Sequence, residues 1–146
     1  MEEEELEKKV FKCLFKFMQL LCECNNIAFK DFVREQIDSD GSKKATSFNI
    51  LNMTTFEIRR LFKVMNEEAS IIILPLTDFL NEVVTLPCSK NQISLCETTF
   101  FEDLCYMAGF FNEPANLKDR HFDRIDSVDR LFLLYQKCIL VILNIL

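Results

Sequence analysis

The sequence predicts an all-α domain, an antiparallel helical bundle forming part of an α-solenoid, and three observations carry that reading. Only two Gly and three Pro occur in 146 residues, too few for a β fold that needs turn residues roughly every 8–12 positions. Hydrophobic residues make up 49% of the chain, with fifteen Phe among them, which is ample for the core of one domain of this length. Along most of the chain the apolar residues recur at helical spacing. The whole of residues 1–146 is therefore expected to be a single helical domain.

Charge and cysteine usage narrow the function classes. A net charge of −6 and a pI near 4.9 argue against nucleic acid, whose phosphates need a basic surface. The seven cysteines, Cys13, Cys22, Cys24, Cys88, Cys96, Cys105 and Cys138, form no C-x-x-C pair and are odd in number, and there is one His. That pattern is neither a zinc nor a disulfide framework. Met1 followed by Glu2 to Glu5 is the opposite of a basic signal-peptide start. The reading is a reducing compartment, with the thiols packed as small hydrophobes. There the Asn52-Met53-Thr54 sequon has no meaning.

The first helix is expected from Glu4 to Cys24, with Leu6, Val10, Cys13, Leu14, Phe17, Leu21 and Cys24 on an apolar stripe. Lys9, Lys12, Lys16, Gln19 and Glu23 fall opposite, and the acidic start complements the macrodipole. Asn25 and Asn26 interrupt it, and a short helix with Phe29, Phe32, Val33 and Ile37 on its apolar face follows. The two should form an antiparallel hairpin. A loop is expected over 38–46, where Asp, Ser, Gly and Lys cluster. Asp38, Asp40 and Gly41 suggest a calcium loop, but that register puts Gln36 and Ser47 where an Asp and a bidentate Glu are required.

A third helical region spans Ser47 to Glu67, with a possible restart at Thr54 or Thr55. Ile71 to Leu74 could be a buried strand, but no partner strand appears and a lone strand cannot satisfy its backbone. It reads instead as the start, or a kinked first turn, of a fourth helix. Leu76, Phe79, Leu80 and Val83 should face inward and Asp78, Asn81, Glu82 and Thr85 outward. Pro87 stops that helix, because it cannot donate a backbone hydrogen bond and restricts Leu86 before it.

Helices from Ser89 to Cys96 and from Thr99 to Phe110 come next, the latter ending at Gly109. Residues 112–126 are polar, contain Pro114 and His121, and read as a loop or weak helix. Asp119 and Asp123 near His121 read as a solvated surface. Asp126 or Ser127 can cap a last helix from Val128 to Leu146. That helix is apolar on most sides from Leu131 onward, but Arg130, Gln136 and Lys137 interrupt it and the run falls short of the ~20 residues of a membrane span. It reads as a buried helix of a larger solenoid that stops in mid-pattern, so the chain is expected to be a fragment or truncated product of something longer.

Leu20-Leu21-Cys22-Glu23, Asn26 and Phe32-Val33-Arg34-Glu35-Gln36 resemble the "LLCEN…N…NFLR.Q" signature of the RIH-associated domain of inositol trisphosphate and ryanodine receptors. Phe48 to Leu51 resembles its next element. Leu80-Asn81-Glu82, Pro87-Cys88 and Asn91-Gln92 resemble its "LTEY..GPC..NQ" motif, and Leu134 to Lys137 a later helix. Cys24 and Asn25 depart from the usual Asn-His pair, and Leu86 from a Gly.

The resemblance implies a cytoplasmic segment of a tetrameric, ligand-gated calcium-release channel, on the cytosolic face of the endoplasmic or sarcoplasmic reticulum. Its partners would be neighbouring solenoid helices and the pore-side domains. In that family two glutamates of this domain bind the activating calcium ion, and they fall on Glu23 and Glu82. A backbone carbonyl of the pore-side domain completes the protein ligands. On spacing alone each glutamate reads as a solvated carboxylate, since Glu23 shares a face with lysines and Glu82 with Asp78. The isolated chain should bind calcium weakly, at roughly 10⁻³ M or worse, because it offers a minority of the ligands. The competing reading is a calcium-independent adaptor that binds a partner helix. Enzyme chemistry is not expected, as no nucleophile and base spacing, phosphate loop or metal cluster occurs.

Overall fold

The computed structural model describes residues 2–85, 87–111 and 125–145. Seven helices follow one another there: α1 (Glu2–Cys22), α2 (Ile27–Arg34), α3 (Ile50–Val64), α4 (Glu67–Val84), α5 (Ser89–Cys96), α6 (Phe100–Phe111) and α7 (Ile125–Leu143). Among the described residues there is no strand, only an isolated bridge between Ile37 and Lys43. The all-α expectation holds. His121, Asp119 and Asp123 lie outside the described residues, as does most of the polar segment around them.

The helices are arranged around α4, which packs against α1, α3, α5 and α7. Ile73, Leu76, Phe79, Leu80, Val83 and Val84 are fully buried on it, so the inward set read from sequence is confirmed. Pro75 sits in mid-helix and cannot donate to the carbonyl a turn earlier. The helix runs through it because the turns on either side are held by core packing, which outweighs local propensity. Asn66, whose Oδ1 accepts the Ala69 amide at 2.8 Å, caps α4. Ile71 to Leu74 is thus the helix's second turn rather than its start.

Two helices lie along α4 in its own direction. Lys8 of α1 pairs with Glu68 at 3.1 Å and Phe15 stacks edge-on against Phe79 with centroids 5.5 Å apart, so residue numbers rise together on α1 and α4. On α7, Arg130 pairs with Glu67, Lys137 with Asp78 and Asn144 with Asn81 in the same sense. The polar edge of α4 that was expected to face solvent is therefore half-buried, Asp78 and Asn81 along the α7 side and Glu82 and Thr85 beside Lys30 of α2. α3 folds back on α4 through the two-residue turn at Met65 and Asn66.

Several expectations need correction. Helix α1 ends at Cys22 because Cys24 and Asn25 both take φ of 56°, a left-handed turn that Asn tolerates and Cys does not favour. The α1 side facing the core is Phe11, Phe15, Met18 and Cys22, while Leu6, Val10, Leu14 and Phe17 of the expected inner stripe are exposed. In α2, Phe32 is exposed, and Ile37 lies beyond the helix and is also exposed.

Further along, α3 starts at Ile50, where Asn49 accepts the Asn52 amide. It does not restart at Thr54 or Thr55, whose hydroxyls bond back to the carbonyls of Ile50 and Asn52. Helix α6 runs through Gly109 to Phe111, and α7 begins at Ile125, so Asp126 and Ser127 lie inside it rather than at its cap.

Candidate functional site

The polar residues that carried the sequence resemblance converge where α1 and α4 end and α2 and α5 begin. Most of them serve the backbone. Asn26 accepts the Phe29 amide at 3.2 Å and donates to the Leu21 carbonyl at 2.8 Å, tying the start of α2 to the end of α1. Gln36 donates to the Phe32 carbonyl and accepts the Phe48 amide, so it closes the base of the 37–47 loop. Within that loop Gly41 supplies φ of +83°, and Asp40 accepts both the Ser42 amide and hydroxyl, which holds its carboxyl below the usual range.

The break at Pro87 leaves the last carbonyls of α4 without helical partners. Side chains supply them. Asn91, fully buried, donates Nδ2 to the carbonyls of Val83 at 3.2 Å and Lys30 at 2.9 Å, while its Oδ1 accepts Arg34 Nη1 at 2.6 Å. Gln92 donates to the carbonyls of Val84 at 3.0 Å and Asn144 at 2.8 Å. Lys30, also fully buried, donates Nζ to the Thr85 carbonyl at 3.1 Å.

Glu23 and Glu82 stand apart from this pattern. Glu23 follows the last residue of α1 and is half-buried, and its carboxylate has no partner among the described residues. Glu82, in the last turn of α4, keeps 26% of its side-chain surface exposed and lies 4.0 Å from Lys30 Nζ. Cys22, the residue before Glu23, has its thiol pushed up to about 12 by burial, opposed by the charge of Lys30 and reinforced by that of Glu82. Burial likewise raises Cys88, which also feels Lys30. Glu82, Lys30 and the Cys22–Glu23 turn therefore share one electrostatic neighbourhood.

Sequence reading missed Lys30. Its signal was present, for a lysine three residues before Val33 falls on the buried side of an eight-residue amphipathic helix. The thiols were read too uniformly, since Cys22, Cys88 and Cys138 are buried but Cys13, Cys24, Cys96 and Cys105 are exposed. Cys138 is also pushed up to about 12 by burial. A maleimide at neutral pH should accordingly label the four exposed cysteines quickly and the other three only after unfolding, read by mass spectrometry under native and denaturing conditions. Rapid native labelling at Cys22 would contradict this packing.

As candidate calcium ligands, Glu23 and Glu82 would offer hard oxygens of the right kind, and both keep part of their surface exposed. Among the described residues, however, no group of three or more His, Cys, Asp and Glu side chains could hold a metal ion.

The architecture is that of a helical packing module, and no helix of the described residues is long and apolar enough to cross a membrane. Its family is shown by sequence: the model of the family described as RyR and IP3R Homology associated matches residues 5–108, and the chain belongs to it. Membership associates the chain with the ryanodine and inositol trisphosphate receptor family of calcium channels. The matched segment contains both Glu23 and Glu82, while α7 lies beyond it. No solved structure matches the chain.

Proposed function

We propose that the chain is a regulatory segment of a tetrameric intracellular calcium-release channel, on the cytosolic face of the endoplasmic or sarcoplasmic reticulum. In this reading all 146 residues act as one module, since α7 packs along α4 although it lies outside the family match. Glu23 and Glu82 contribute two carboxylates to an activating calcium site that pore-side residues complete. The observation that carries this is the division of labour among the motif residues. Asn26, Arg34, Gln36, Asn91 and Gln92 are bonded into the fold, whereas neither glutamate carries a side-chain hydrogen bond among the described residues.

Calcium would supply the charge that lets two carboxylates from different helices approach without repulsion, and so bias the orientation of the domain that closes on them. Replacing Glu23 or Glu82 with Gln in a complete channel should shift calcium activation to concentrations about tenfold higher or more, with folding intact. Exposed Glu97 and Glu102 serve as controls. Asp78 does not, because it is paired with Lys137. Dose-response curves of channel opening that move equally for controls and test variants would reject the assignment.

A second reading is favoured by an apolar groove of 630 Å³ between α1 and α3, lined by Phe11, Leu14, Met18, Phe48, Met53 and Phe56. Together with exposed Phe132, Leu133, Ile139, Leu140 and Leu143 on α7, it suits docking of a neighbouring helix of the larger protein, whether or not calcium binds.

A further inference from the structure

Lys30 is the one feature of the site that a calcium half-site does not require. Its ammonium is fully enclosed and, among the described residues, donates to the Thr85 carbonyl at 3.1 Å and has the Glu82 carboxylate at 4.0 Å. The neighbouring cation is committed elsewhere, because Arg34 is held by Asp31 at 2.7 Å and by Asn91 at 2.6 Å. An enclosed ammonium needs a nearby negative charge. Here it has the Glu82 carboxylate and the negative end of the α4 dipole.

From this geometry we infer that Lys30 is a built-in counter-cation of Glu82 that competes with calcium and sets the affinity of this side of the site. The inference rests on the calcium half-site proposed above. A divalent ion on Glu82 Oε1 must either push against a fixed positive charge a few ångströms away or displace it. Displacement is resisted, since Lys30 Nζ would abandon the Thr85 carbonyl inside a packed junction of α2, α4 and α5.

The test is isothermal titration of the 146-residue chain with calcium chloride at low ionic strength, on the wild type, Lys30→Gln, Lys30→Met, Glu82→Gln and the Lys30→Gln/Glu82→Gln double variant. Lys30→Met guards against a folding defect specific to Gln, and helical circular dichroism verifies each variant. Removing the ammonium should tighten calcium binding by about tenfold or more, because charges this close at a protein surface interact by several multiples of thermal energy. The gain should vanish in the double variant.

No tightening in either Lys30 variant overturns the inference, as does a gain that survives without Glu82. If wild-type binding depends on Glu82 while the Lys30 variants gain nothing, the inference alone fails and the half-site stands. If wild type and Glu82→Gln bind alike, the half-site reading itself fails.

Discussion

Phe79→Ala should destabilise the chain by about 3–5 kcal/mol, the range for deleting a buried aromatic ring and leaving a cavity. Phe79 is fully buried on α4, and its ring meets Phe15 of α1 edge-on, with Phe11 tilted against Phe15 at 4.7 Å. The Lys8–Glu68 ion pair near the helix starts is partly exposed and contributes little, so this aromatic row, with Met18 and Cys22 beyond it, holds α1 against the core. A domain whose total stability is about 5–15 kcal/mol then loses a large share of it. Urea unfolding followed by circular dichroism measures the loss. Phe79→Leu, which keeps most of the apolar volume, should cost markedly less. A loss below about 1 kcal/mol for Phe79→Ala would mean that the ring lies outside a packed core.

The elements that sequence made legible are those where one strong local signal acts alone. Pro87 and the residues after it defined α5 as Ser89–Cys96, and the structure has those bounds. The four inward positions of α4 followed from a single apolar stripe. Helix α1 was misread because it carries two apolar stripes, and periodicity cannot say which meets the core. The answer depends on Phe79, more than sixty residues away. Gly109 was misread because glycine ends a helix only when a left-handed turn is needed, and among the described glycines Gly41 alone takes positive φ.

The site was legible in part for a similar reason. Spacing placed Glu23 and Glu82 at two helix ends, but it was the resemblance that singled them out. Lys30 could be placed on the buried side of α2 from sequence, but its partners could not, because the Thr85 carbonyl and the Glu82 carboxylate come from residues more than fifty positions on. The apolar surface left exposed on α1 and α7 follows the same logic, for stripes that no core within the chain absorbs are what a module packed between others would present.

Asn91→Leu should cost about 3–4 kcal/mol, since each buried polar group left without a partner costs about 1–3 kcal/mol and this one amide serves several. Leucine shares the branching of asparagine but is bulkier, so the loss combines missing hydrogen bonds with some overpacking. Val83 and Lys30 would lose the donor to their carbonyls, and Arg34 would lose an acceptor while keeping Asp31. Asn91→Asp sharpens the test, because it preserves shape but turns the donating amide into an acceptor facing two carbonyls, and it should be no milder. Gln92→Leu is the comparison: Gln92 is only half-buried, so water can replace part of what it gives Val84 and Asn144. Equal losses at 91 and 92 in urea denaturation would remove Asn91 from its place as the clasp of this junction. The larger loss at 91 would tie the folding of the chain to the same atoms that seat Lys30 against Glu82.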